Sequence, residues 1–201
     1  MVLQAIYSLH RGDSRRAAKL LRDCETLIHQ DLLPVVTEEP PLRSGSFAGV
    51  MEEYAEGKLF YAWLLGRDDS MGSDNDMEKG SSPSGILLQP SDLEILEPEE
   101  YLGGLCDLTG EIGRFAVAQG TARNSDGVKR CLETNGTIHF ALQCLENLPG
   151  GIGKKLDQLR RSVEKLERML YEMSLSDATG GRIVDTQDEM TEEDRDHSKR
   201  N

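Results

Sequence analysis

Aromatic residues, long apolar runs and paired cysteines are all scarce in this chain. Aromatic side chains make up 5% of its 201 residues, and hydrophobic residues of all kinds make up 37%. No apolar run approaches the ~18 residues of a transmembrane helix, and no secretory signal peptide is recognisable. We therefore expect a soluble protein with no membrane attachment, located in the cytoplasm and, as a second location, the nucleus.

The shortage of apolar residues also limits the core that the chain can build. A net charge of −13 with 37% hydrophobic residues is unusual for a fully packed globule of this length. Either some segments stay unfolded, or helices complete their burial against other subunits. The acidic balance argues against a simple cationic nucleic-acid binder, but it allows an enzyme that meets phosphates through metal ions and a few basic residues.

Cysteine and histidine spacing disfavours a zinc site. The chain has no C-x-x-C and no H-E-x-x-H pattern. Each cysteine lies in an apolar helical pattern, which favours reduced, buried thiols over disulfides; the four are Cys24, Cys106, Cys131 and Cys144. We expect His10 and His139 to be structural. No G-x-S-x-G sequence indicates a serine nucleophile.

Residues 149–155, with the sequence PGGIGKK, resemble a phosphate-binding loop without matching it. Leu148 stands where the P-loop pattern has its first glycine, and Lys155 stands where it has serine or threonine. No strand is predicted before this segment. A connection between two helices is the better interpretation.

Apolar residues at helical spacing predict an all-α protein of about six helices. These helices cover approximately residues 1–11, 13–32, 46–65, 98–119, 125–148 and 152–175. The second ends before Pro34, which disfavours helical geometry at the preceding residue, and residues 37–41 form a loop with two prolines. Gly136 interrupts the fifth helix. Because no N-cap precedes the first helix, we expect a further helix upstream of Met1 in a longer chain.

Composition divides the chain into one helical domain and two polar segments. Residues 1–175 form the domain, within which the Gly-, Ser- and Asp-rich residues 66–92 are a flexible insertion, with a short ordered turn at residues 86–88. Residues 176–201 carry eight acids against four basic residues and are expected to be a disordered acidic tail.

Three helices have faces that define the expected core. On the third, the apolar side comprises Val50, Met51, Tyr54, Tyr61, Leu64 and Leu65, whereas Phe60 shares another face with two glutamates. On the fourth, the core stripe is Tyr101, Leu105, Leu108, Ile112 and Phe115. The last helix has a heptad seam from Ile152 to Met173 that fits either an intramolecular bundle or a subunit contact.

Two carboxylate pairs are the only constellation that indicates chemistry. Glu53 and Glu56 are spaced i,i+3, and Asp107 and Glu111 are spaced i,i+4, so each pair lies on one side of its helix. Asp107 and Glu111 lie beside the core stripe, with Arg114 slightly farther round. Four converging carboxylates would suit Mg²⁺ or Mn²⁺, which favour hard oxygen ligands. The alternative is that these acids belong to ordinary solvent-exposed helix faces and bind no metal ion.

Two motifs give the chain a resemblance to a known family. The segment MEEYAE at residues 51–56 and the segment EYLGGLCDLTGEIGR at residues 100–114 resemble the translin family, in its translin-associated factor X (Trax) branch. Leu9-His10-Arg11 and the last predicted helix support the resemblance, which covers about residues 3–66 and 93–175.

The resemblance implies an antiparallel helical bundle of the translin type, here with the family's first helix missing. It implies assembly with a translin-type subunit into a closed hetero-octameric shell, binding of single-stranded RNA or DNA, including sequence-specific DNA binding, and Mg²⁺-dependent endoribonuclease activity. The family's catalytic acids fall on Glu53, Glu56 and Asp107, with Glu111 as a further metal ligand. Arg114 is a candidate phosphate contact.

The leading hypothesis is therefore a Trax-like, metal-dependent endoribonuclease subunit. Its rivals are a non-catalytic nucleic-acid-binding or scaffold subunit and a plain helical interaction module. The basic leader of Trax-type chains is missing, which puts nuclear import by such a leader in doubt. The basic residues of the second and last helices are interpreted as solvated faces, with RNA contact as the alternative.

Overall fold

The computed structural model describes residues 1–66, 83–149 and 151–179, and all regular secondary structure in these ranges is helical. The α-helices are α1 (Val2–His10), α2 (Ser14–Leu27), α3 (Leu33–Glu38), α4 (Ser46–Leu65), α5 (Pro98–Thr121), α6 (Ser125–Gln143) and α7 (Ile152–Ala178). Short 3₁₀ turns cover Pro40–Arg43 and Pro90–Asp92. The all-α prediction is confirmed. Within the described ranges no helix is long and apolar enough to cross a membrane.

Helices α4 and α5 form the centre of the bundle. Helices α1 and α2 pack against α4, and α6 and α7 pack against α5 and each other. The predicted core stripe of α5 is buried throughout. On α4 the prediction was partly wrong. Phe60 is fully buried, because neighbours cover this helix on nearly every side, whereas Val50, near the start of the helix, is 43% exposed.

Glycines on α5 allow its backbone to lie directly against α4. A Cβ added at Gly104 would lie 2.7 Å from the carbonyl oxygen of Glu52 and 2.9 Å from the amide nitrogen of Glu56. A Cβ at Gly103 would collide with the Glu52 side chain. Such glycines weaken an isolated helix by about 1 kcal/mol each. Here they are required by the close approach of the two helices.

The second predicted helix does not stop before Pro34. A π-helical turn at Ile28–Leu32 connects α2 to α3, and the Leu33 amide donates to the carbonyl of Ile28. Pro34 then occupies the first turn of α3, where its missing N–H is not needed. The extra residue in the π turn removes the clash that proline causes in a continuous α-helix. Thr37 and Glu38, predicted to be loop, consequently belong to α3.

The C-terminal end of the predicted insertion is tied to the bundle. The Ser84 hydroxyl donates to the carbonyls of Ala62 and Trp63, and the Tyr101 hydroxyl donates to the carbonyl of Leu88. Residues 86–88 form no regular turn, and Leu87 and Leu88 pack partly buried against this end of the core. The centre of the insertion, residues 67–82, lies outside the described residues, as do residues 180–201 of the predicted tail.

Helix α6 differs from its prediction in its extent and in the side chains that are buried. It continues through Gly136 and ends at Gln143. Phe140, placed in the apolar pattern, is 69% exposed, and Cys144 is exposed although the other three cysteines are buried. Asn135 is fully buried, and its amide donates to the Thr109 carbonyl on α5 and the Ser162 hydroxyl on α7. This contact fixes α6 against both neighbours.

Helix α7 uses its heptad seam inside the bundle. Ile152, Leu159 and Leu166 are buried against the other helices. The intramolecular alternative therefore accounts for this seam. Farther along α7, Tyr171 is 67% exposed and Leu175 is 51% exposed. The helix extends to Ala178, three residues past its predicted end.

The close approach of α4 and α5 predicts opposite effects of two alanine substitutions. Gly104→Ala should destabilise the protein by about 1–3 kcal/mol, because its Cβ would meet α4 backbone atoms that cannot move aside independently. Gly110→Ala, on the same helix with nothing within 4 Å of the added Cβ, should stabilise by up to about 1 kcal/mol. Chemical denaturation measures both, and a Gly104→Ala variant as stable as Gly110→Ala would contradict the packing.

Candidate functional site

The predicted acids come together where α4 meets α5. Glu53 and Glu56 lie on α4, and Asp107 and Glu111 lie on α5, one turn apart within each pair. They differ in exposure: Glu56 is 8% exposed and Glu111 is 5% exposed, whereas Asp107 is intermediate and Glu53 is exposed. The result is an acid cluster that is buried at one end and open at the other.

Glu56 is the least compensated member of the acid cluster. Its carboxylate accepts no hydrogen bond from any described residue. Burial, followed by the negative charges of Glu111 and Asp107, raises the pKa of Glu56 to about 7 against a smaller opposing effect of Arg114. Part of the Glu56 population is thus protonated at neutral pH.

Glu111 has a basic partner on each of two sides, a hydrogen bond with His10 and an ion pair with Arg114. The Nε2 atom of His10 lies 2.7 Å from one of its carboxylate oxygens, and Arg114 donates to the other. Burial would raise the pKa of Glu111, but the hydrogen bond with His10 and the charge of Arg114 outweigh burial, so its pKa lies below the usual value. The Arg114 side chain is 73% exposed, so a cationic group stands at the mouth of the cluster.

Asp107 is paired with Lys155, which lies 48 residues farther along the chain. The Nζ atom of Lys155 lies 2.7 Å from a carboxylate oxygen of Asp107 and 2.7 Å from one of Glu52. Burial lowers the pKa of Lys155, but its hydrogen bonds to the two carboxylates outweigh burial, and the pKa is raised overall. Lys155 therefore remains a cation in this position.

Aromatic rings form the apolar floor beneath the acid cluster. The His10 ring lies 4.9 Å from the Phe60 ring, centroid to centroid, and Phe60 stacks on Trp63. Trp63 meets Phe115 edge to face, and its indole N–H donates to the hydroxyl of Thr134. This packing fixes the His10 ring, and with it the hydrogen bond that orients Glu111.

Sequence reasoning found the acids and Arg114 but missed three residues around them. His10 was expected to be merely structural, Lys155 was interpreted as part of a failed P-loop and of a solvated basic helix face, and Glu52 was given no role of its own. Contacts between residues 101 positions apart, as for His10 and Glu111, leave no local spacing signal. For Lys155 the sequence offered one signal: it lies one helical turn before Leu159 of the heptad seam, on the face of the last helix that turns toward the bundle.

The fold and the site together define a class of protein: all-α bundles with an acid cluster between the two central helices. A family model for the translin family matches residues 43–177, so the chain belongs to the translin family. It is also similar to the translin-associated protein X homolog of Schizosaccharomyces pombe, with 25% identity over 190 residues that cover 86% of this chain and 74% of that protein. The resemblance to Trax-type chains is thereby confirmed.

Solved structures show the same fold at low sequence identity. The AfC3PO–duplex RNA complex and AfC3PO alone each match with a TM-score of 0.67 and 20% identity, over 87% of this chain and 82% and 83% of theirs. The structure of apo-NeC3PO matches with a TM-score of 0.67 and 19% identity, over 86% of this chain and 81% of that chain. These likenesses establish the bundle architecture.

The unusual environment of Glu56 predicts a pH-dependent effect of its neutralisation. Its native pKa of about 7 exceeds the ordinary value of 4.5, so the native state binds more protons between these values and loses stability as the pH rises through them. Glu56→Gln should therefore stabilise the protein by up to about 3 kcal/mol at pH 8 and much less at pH 4.5. Urea denaturation of both proteins at both pH values measures the difference.

The control for this prediction is Glu53→Gln, which neutralises an exposed acid on the same helix. Its effect should stay within about 0.5 kcal/mol at either pH, as for most surface substitutions. A Glu56→Gln effect of equal size at both pH values would show that Glu56 is not destabilised by its charge.

Proposed function

We propose that this chain is the RNA-cleaving subunit of a translin-type assembly, hydrolysing single-stranded RNA with Mg²⁺ or Mn²⁺. The observation that carries the proposal is the position of Glu56, which is 8% exposed, accepts no hydrogen bond from the described residues and lies among the charges of Asp107 and Glu111. A carboxylate in such a place is costly unless a cation or a proton compensates it. A divalent ion would provide that compensation.

The donor atoms of the acid cluster fit a hard divalent cation, although the chain's own cations now occupy several of them. Within the described ranges no three His, Cys, Asp or Glu side chains are arranged as a ready-made metal site. Asp107 is paired with Lys155, and Glu111 with His10 and Arg114. Glu53 and Glu56 are in none of the ion pairs of the described residues. A metal ion would thus bind first to Glu53 and Glu56 on α4. Binding to Asp107 would require the ion to displace Lys155.

In this proposal Glu53, Glu56 and Asp107 hold the ion, and Glu111 completes or orients the site. When bound, the ion would supply an acidified water for attack and would neutralise charge on the phosphodiester. The floor of Phe60 and Trp63 excludes water from the closed side of the cluster. His10 keeps Glu111 in place, and the exposed guanidinium of Arg114 is available to contact a phosphate.

Exposed apolar side chains support the proposed assembly with translin-type subunits into a hetero-octameric shell. Leu3 and Tyr7 on α1 are 66% and 62% exposed, and Phe140 on α6 is 69% exposed. Side chains of this size are commonly buried when subunits associate.

One observation favours a second function, that of a non-catalytic nucleic-acid-binding subunit. Lys155, His10 and Arg114 already compensate Asp107 and Glu111 without any metal ion. If these pairs persist in the assembly, the acids have a structural role and RNA is bound but not cut.

Cleavage of an end-labelled single-stranded RNA distinguishes the two functions. With Mg²⁺ and a translin-type partner, Glu56→Gln and Asp107→Asn should each lower the cleavage rate about 100-fold or more, because each removes a proposed ligand. Glu133→Gln, an exposed acid on α6, is the matched control and should cleave normally. Cleavage that persists in EDTA or in both variants would eliminate the catalytic proposal, and binding without cleavage would establish the second function.

The exchange of Lys155 for metal generates a separate prediction. Lys155→Met should tighten Mn²⁺ binding in calorimetric titration, because the ion no longer competes with an ammonium group for Asp107. In EDTA the variant should be less stable by about 1 kcal/mol, since Asp107 and Glu52 lose a partly exposed partner. Lys154→Met, the exposed neighbour, should change neither quantity. Unchanged Mn²⁺ affinity in Lys155→Met would show that Asp107 is not a ligand.

A further inference from the structure

A groove runs between α5 and α7 immediately beyond the acid cluster. It has a volume of about 310 Å³. Its lining includes Gly110, Gly113 and Arg114 from α5 and Arg161, Ser162 and Lys165 from α7. We call it the α5–α7 groove. None of these residues belongs to the proposed metal ligands.

Among the residues that the structure describes, every ionisable side chain that lines the α5–α7 groove is basic. They are Arg114, Arg161 and Lys165, in a chain whose net charge is −13. Arg161 and Lys165 are exposed, and among the described residues neither has an ion-pair partner. By contrast, Arg160 on another face of α7 is paired with Glu164. Two uncompensated cations facing one groove attract an anionic ligand.

The basic character is confined to the part of the helix pair next to the acids. Val117 and Met169 also line the adjoining groove farther along α5 and α7, where Arg123 lies with Glu172 and Asp177. The mixed charges there offer no net attraction to an anion. Toward the other end, Arg114 is ion-paired with Glu111 and so joins the groove to the acid cluster.

Glycines keep the α5–α7 groove open. A Cβ at Gly110 would meet nothing within 4 Å, and a Cβ at Gly113 would lie 3.4 Å from the Ser162 hydroxyl. The groove wall on α5 is therefore bare backbone at these positions.

We propose that the α5–α7 groove binds the phosphodiester backbone of single-stranded RNA and leads it to the acid cluster. Arg161 and Lys165 contact phosphates of the strand, and Arg114 contacts the phosphate nearest the acids. This inference rests on the proposed function, because it identifies the path of the substrate to that same site. It assigns RNA contacts to two residues of α7 that the sequence left undecided.

RNA binding in EDTA tests the groove without requiring cleavage. The full chain, alone and with a translin-type partner, is titrated into fluorescent oligouridine at several salt concentrations. The double variant Arg161→Gln/Lys165→Gln should bind RNA more weakly. The slope of the logarithm of the binding constant against the logarithm of the salt concentration should become shallower by about 1.4, because each of the two lost phosphate contacts contributes ~0.7. Lys129→Gln/Arg160→Gln removes equal charge outside the groove and should keep the wild-type slope.

A steric variant provides the second test. Gly110→Leu should weaken RNA binding by filling the groove, whereas Gly136→Leu, at an α6 glycine with equally free space around its Cβ, should bind RNA as the wild type does. Both variants remain folded if they keep the wild-type circular dichroism and unfolding midpoint, so a loss confined to Gly110→Leu would support the groove.

The outcomes separate failure of the groove from failure of the proposed function. If the wild type binds and cleaves RNA and the groove variants bind it equally well, only the groove proposal is overturned. Equal losses in both double variants also overturn it, because binding then follows total charge. Loss of partner assembly in light scattering, with RNA binding retained, would make the groove a protein contact. A wild type that neither binds nor cleaves RNA overturns both proposals.

Discussion

The contact between the backbones of α4 and α5 is the constraint on which the rest of the structure depends. Gly104 brings α5 against the Glu52 carbonyl and the Glu56 amide, and Gly103 leaves room for the Glu52 side chain. With a larger residue at either position the helices would move apart, and the acids of the two helices would separate with them. The acid cluster is therefore a consequence of how closely two helices pack, and its position is fixed by glycine.

Bringing four acids together creates an electrostatic cost, which other parts of the chain reduce. His10 arrives from α1, Arg114 lies one turn along α5, and Lys155 comes from the first turn of α7. Glu56 receives no such partner among the described residues, and its pKa rises to about 7. The cluster is thus compensated at its edges and uncompensated at its buried centre, where the proposed metal ion would add positive charge.

Local patterns predicted what depends on local spacing. The limits of α4, the start of α5 at Pro98 and the buried stripe from Tyr101 to Phe115 all follow from capping preferences and helical periodicity. The buried faces of α4 were harder to predict, because a helix covered on nearly every side has no single apolar stripe. At Pro34 the chain used a π turn, an irregularity that proline alone does not specify. The partners of the acids come from distant segments and could only be seen in the folded chain.

The location of Lys155 in the first turn of α7 couples the acid cluster to the segment that joins α6 and α7. Successive residues of an α-helix are rotated by about 100° around its axis. If α7 began one residue earlier or later, Lys155 would leave its place between Asp107 and Glu52, and a neighbour such as Lys154 or Leu156 would replace it. The phase of one helix thus determines whether a lysine or a leucine lies between Asp107 and Glu52.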